Sequence, residues 1–158
     1  MKRGSTLFLK IAVMIMGIPV LAIGIFGLYW LLRNPPNPDY AHILYPIVIG
    51  MYVSVIPFFV ALVQAFKLLS YIDRNEAFSQ LSVKALKNIK LCAMTISGLY
   101  VAILPFVYVV AELDDAPGLI IIGMVPIFAS LVIAVFAAVL QRLLQEAINI
   151  KSENDLTV

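Results

Sequence analysis

The sequence predicts an all-α, polytopic membrane protein of four transmembrane helices, and three observations carry that prediction. Of 158 residues, 63% are hydrophobic and only 13% charged, with a mean hydropathy of +1.02, far above that of a water-soluble domain of this size. Four stretches, 11–32, 40–66, 91–111 and 116–141, contain no charged residue. Each supplies the roughly 20 apolar residues, rising about 1.5 Å apiece, that a hydrocarbon core of about 30 Å requires. Finally, 11 basic residues are distributed very unequally between the connections. The whole chain reads as one membrane domain with spans over 11–32, 42–66, 91–111 and 119–140.

The first span follows Lys2, Arg3 and Lys10, as a secretory signal core does. It is longer than such a core and lacks a small-x-small cleavage site, so it is expected to be retained. Between spans two and three lie Lys67, Arg74, Lys84, Lys87 and Lys90, and after span four come Arg142 and Lys151, leaving Arg33 alone on the other side. The positive-inside rule then places both termini and the middle connection in the cytoplasm. The outer connections are short. RNPPNPDYAH, residues 33–42, is expected to cross in extended form because Pro35, Pro36 and Pro38 oppose a helix, and ELDDAPG, residues 112–118, reads as a tight acidic turn.

The inner segments are patterned. Phe78, Leu81, Ala85, Leu86 and Ile89 share a helical stripe with Lys84, Lys87 and Lys90 off it. This predicts a short amphipathic cytoplasmic helix over 77–90, its lysines facing an anionic inner leaflet at about 1 kcal/mol each. Past span four, Leu140, Leu143, Leu144, Ala147 and Ile148 keep the helical period, and Arg142 and Glu146 form an i, i+4 pair. A cytoplasmic extension of helix four over 141–158 follows, ending in a polar tail, SENDLTV, with too little apolar surface to fold alone.

Within the spans, Pro19, Pro46, Pro57, Pro105 and Pro126 mark places where a helix bends. Ser130, Ala134 and Ala138 recur every four residues, as do small residues that let helices approach closely; packing within the chain and a homo-oligomer seam are both open. Gly17, Gly24 and Gly27 offer helix one the same service.

Several function classes are disfavoured. The charge-free spans hold no mid-membrane ionisable residue of the kind a coupled transporter keeps. The lone His42 and the lone Cys92 belong to opposite faces, which argues against nucleophilic catalysis and against a Cys/His metal centre. Glu112, Asp114 and Asp115 read as a solvated turn rather than a cation site. A net charge of +2 gives no reason to expect direct nucleic-acid binding. No enzyme activity, cofactor or metal is expected.

The stretch LLSYIDRNEAFSQLSVKALKNIK, with NEAFS at Asn75–Ser79, and the closing QEAINIKSENDLTV, with ENDLTV at Glu153–Val158, resemble the YoaS-like group of small bacterial four-helix membrane proteins of unknown function. Members of that group are commonly encoded beside a Cro/CI-type helix-turn-helix regulator. The resemblance therefore implies a bundle in the bacterial cytoplasmic membrane that holds or controls such a regulator. On this expectation a non-enzymatic regulatory protein receives a membrane or extracellular cue. Its inner surface, formed by Phe78, Lys84, Lys87, Leu143, Leu144, Ile148, Glu153, Asn154, Asp155, Leu156 and Val158, engages the partner. An oligomeric permease is the alternative, though only scattered Ser54, Gln64, Thr95, Ser97 and Ser130 could line a path. A structural subunit of a membrane complex is the third.

Overall fold

The computed structural model describes residues 3–34 and 38–156, with four helices and no strand among them. They are α1, Arg3–Arg33; α2, Pro38–Asp73; α3, Gln80–Leu113; and α4, Gly118–Leu156. All four are long and apolar enough to cross a membrane. Each runs on through its prolines without interruption. The bundle is open: α3 lies between α2 and α4, α1 comes close only to α2, and α1 and α4 do not meet.

Small side chains explain why α3 is the centre. It buries Ser82, Ala85, Ala93, Ser97 and Ala111 together with Val83, Leu86 and Ile103, while α4 buries Ile127, Ser130, Ala134 and Ala137. In a bilayer, where lipid is as apolar as leucine, association is driven by close packing of such residues. The α4 stripe is therefore packed within the chain, against α3. Its third member is Ala137; Ala138 is only half-buried. A strict spacing of four drifts about 40° around the helix per step, whereas positions 130, 134 and 137 stay within one face.

Two helix ends share one solution. Glu76 N–H donates to Tyr71 O at 2.7 Å and Asn75 N–H to Ile72 O at 3.2 Å, with Asn75 at φ 57°. After α3, Ala116 N–H donates to Ala111 O at 2.8 Å and Asp115 N–H to Glu112 O at 3.3 Å, with Asp115 at φ 52°. Both are Schellman caps in which Asn or Asp occupies the left-handed position usually given to glycine. The NEAFS segment is thereby a structural turn. Asn75 ends α2, Glu76 O accepts from the Ser79 and Ser82 hydroxyls at 2.6 and 3.2 Å, and Ser79 O receives the Ser82 and Val83 amides.

Three expectations are corrected. Residues 77–90 are not a separate surface helix: 77–79 belong to the turn, and the remainder is the beginning of α3, coaxial with the span. Nothing at Lys90–Leu91 ends a helix, there being neither Gly nor Pro, and a break would forfeit several backbone hydrogen bonds. The extended outer crossing is shorter than expected, because α2 already begins at Pro38, a proline at the first helical position, where its missing N–H costs nothing; residues 35–37 lie outside the described part. The tail is helical as far as Leu156, and Val158 lies outside the described residues.

An ion pair fixes α1 at the end where it begins. Lys10 Nζ lies 2.9 Å from Asp73 Oδ2, both side chains about one-fifth exposed, and 5.2 Å from the centre of the Phe66 ring. Farther along, Gly17 admits Leu62 and Phe59, and the Tyr52 hydroxyl donates to Gly24 O at 2.5 Å. Since α2 is the only helix that α1 approaches closely among the described residues, Lys10→Gln is expected to cost about 1–3 kcal/mol, between the exposed and buried limits for ion pairs. Thermal unfolding in detergent should show a loss of about 2–10 °C. The exchanged pair Lys10→Asp with Asp73→Lys should recover most of it; no recovery would mean that the pair is incidental.

Candidate interaction surface

Lys10, Lys67, Arg74, Lys84, Lys87, Lys90, Arg142 and Lys151 all belong to the end of the molecule where α1 starts, α2 turns into α3 and α4 finishes. This basic end is an ordered helical body and not a set of loops. Its centre is the first turns of α3, where Ser82 and Ala85 are inaccessible or nearly so and Val83 and Leu86 are buried. Asn88 Nδ2 donates to Gln64 Oε1 at 3.3 Å, linking α3 to α2.

The residues expected to meet a partner are divided by this packing. Ala85 and Leu86 of the α3 stripe are buried, whereas Phe78 and Leu81 stand out by half or more of their surface. Lys84 and Lys87 are exposed. On α4, Leu144, Ala147 and Ile148 are half-buried, so the apolar stripe is partly covered within the chain. Leu143 is turned outward at 56% exposure, and Glu153, Asn154, Asp155 and Leu156 are exposed along the last turns. Ile150, not anticipated from the sequence, is 66% exposed. It lies seven residues from Leu143 and therefore on the same face.

Ser54, Thr95 and Ser130, three hydroxyl residues inside the spans, each donate to a carbonyl of their own helix, and Ser54 also reaches across to α3. Ser54 Oγ donates to Met51 O at 2.6 Å and shares a 3.2 Å bond with the Tyr100 hydroxyl, Thr95 Oγ1 donates to Leu91 O at 2.8 Å, and Ser130 Oγ to Pro126 O at 2.6 Å. Hydroxyls satisfied in this way bind neither an ion nor a neighbour strongly. Among the described residues no cluster of three or more His, Cys, Asp or Glu side chains forms. At the other end the Tyr108 hydroxyl donates to Glu112 Oε1 at 2.7 Å, and Asp114 and Asp115 are spent on the helix cap.

Four apolar helices around so small an interior, with aliphatic side chains outward along every span, define a multi-pass helical membrane protein. The chain belongs to DUF2975, a family of proteins of unknown function, which matches residues 33–158. It is 62% identical over 160 residues to an uncharacterized membrane protein, YoaS, of Bacillus subtilis (strain 168), all of both chains being covered. No solved structure matches. The family match begins where α1 ends. That is also where packing changes, since α2, α3 and α4 form the contiguous unit and α1 leans on α2 alone.

Proposed function

We propose that the chain is a non-enzymatic regulatory protein of the bacterial cytoplasmic membrane, in which α2, α3 and α4 form the fixed unit and the basic end, facing the cytoplasm, engages a small soluble regulator. One observation carries the reading. The α4 helix has 39 residues, about 58 Å, against a hydrocarbon core of about 30 Å. Its projecting part sets Leu143 and Ile150 on one exposed face and closes with Glu153 and Asp155. Apolar side chains exposed along a span or at headgroup depth are covered by lipid, but one about 12 Å farther out than Arg142, as Ile150 is, faces water and calls for a protein surface. A helix-turn-helix protein of the Cro/CI type, the partner implied by the resemblance, presents a basic face because it binds DNA, and the acidic close of α4 complements it. The locally satisfied hydroxyls of the spans favour this reading over a permease, which needs a continuous polar line.

Orientation is a prediction in its own right. In a chain with Cys92→Ser, a cysteine at Asp114 is expected to react with a membrane-impermeant maleimide on intact cells, and one at Ser152 only after the cells are opened. The reverse pattern would put the basic end outside and end the proposal. The partner itself is tested by co-purification with the full chain and with a chain lacking residues 152–158.

A further inference from the structure

We propose that the cleft between α3 and α4 at the basic end is a headgroup site for a single anionic glycerophospholipid, its phosphodiester held between Lys90 and Arg142. An open cavity of about 380 Å³ separates the two helices there. Lys90 enters it from α3 and Arg142 from α4, with Gln141 and Gln145 beside them. Lys90 is the last residue before one charge-free stretch and Arg142 the first after another. The two cations therefore stand, on neighbouring helices, at the depth where hydrocarbon gives way to headgroups, and basic recesses between spans at this depth are suited to anionic lipid.

Charge and hydrogen bonding narrow the ligand. Glu146 also lines the cleft, so its formal charge is two positive against one negative. The net single positive charge matches a phosphodiester, which carries one negative charge. Arg142 meets Glu146 only through Nε at 3.7 Å, and the two side chains are 85% and 60% exposed; this loose pair leaves the outer edge of the guanidinium for the fork-like contacts it makes with phosphate. Lys90 has no carboxylate within 4 Å among the described residues. Gln145 donates to Asn149 Oδ1 at 3.1 Å and keeps a second N–H. Ala138 flanks the cleft on the membrane side, where it leaves room for the glycerol and the first carbons of the acyl chains. Glu146, on the water side, accepts from hydroxyls, which suits a glycerol headgroup.

Native mass spectrometry of the full chain, released from detergent with phosphatidylglycerol or with phosphatidylcholine added, tests the site. Phosphatidylglycerol is expected to remain bound and phosphatidylcholine to be lost. Lys90→Gln with Arg142→Gln should lower phosphatidylglycerol affinity roughly 25-fold, about fivefold for each cation. Lys84→Gln with Lys87→Gln, which removes two exposed lysines outside the cleft, should change it by less than fivefold. An equal loss in both pairs would mean diffuse attraction of the leaflet and no site, and overturns the proposal. Displacement of the lipid by inorganic phosphate at the same concentration would make the cleft a site for soluble anions and overturns it as well. Retention of phosphatidylcholine as firmly as phosphatidylglycerol does the same.

Discussion

Gly50→Ala is expected to destabilise the fold by about 1–3 kcal/mol, the range for overfilling a packed core. The site lies where α2 meets α3. A Cβ at position 50 would overlap Ile103 Cδ1 and stand 2.7 Å from Ile103 Cγ1, and Ile103 is itself buried. Its side chain cannot turn away freely, so either it leaves its rotamer or the helices part. Separation is costly because α2 and α3 carry the middle of the row, and α4 is attached through α3 alone. In detergent the melting temperature should fall by about 2–10 °C, and Gly50→Leu should fall further. The diagnostic variant is Gly50→Ala with Ile103→Ala. Truncating Ile103 alone opens a cavity, while the methyl at position 50 refills part of it, so the double variant should be more stable than the two single losses predict. Strict additivity would show that the two residues do not share the contact.

The spans were legible because bilayer thickness and charge cost act on composition directly, without reference to neighbours. The boundary at Lys90 was misread for the same reason. Charges at Lys84, Lys87 and Lys90 mark where the membrane ends, but a helix ends only where a cap, a glycine or a proline ends it; residues 80–97 contain no glycine or proline, and the helix runs on through Gly98 and Pro105. Asn75 did carry such a signal. Asn followed by a polar turn after an apolar helical run reads as a left-handed cap, and NEAFS is recognisable as the hinge of the α2–α3 hairpin on that ground alone. The row-like order of the helices was not legible, because all four spans are apolar on every side and hydropathy does not say which faces meet. Nor was the Lys10–Asp73 pair, whose partners are 63 residues apart; the available hint was that opposite charges flank spans one and two at the same membrane face.

Removing residues 152–158 is expected to leave the four spans folded and inserted while abolishing co-purification of the proposed helix-turn-helix regulator. The case rests on where surface is left over. The first turns of α3 spend Val83, Ala85 and Leu86 on internal packing, and Leu144, Ala147 and Ile148 are already half covered. What remains outward on α4 is Leu143, Ile150 and the closing turns with Glu153, Asp155 and Leu156, the last 84% exposed. None of these side chains is part of the buried core, so their loss has little to act on within the membrane domain. Leu143→Glu with Ile150→Glu separates the two components of the contact. It keeps the acidic close and the length of α4 but puts charge on the apolar face, and should weaken capture at least tenfold, since burying unpaired carboxylates is costly. High salt should weaken the wild-type complex through the acidic component alone. If the truncated chain and the Leu143, Ile150 variant both retain the regulator at unchanged yield, α4 is not the contact, and the proposed function loses the observation on which it stands.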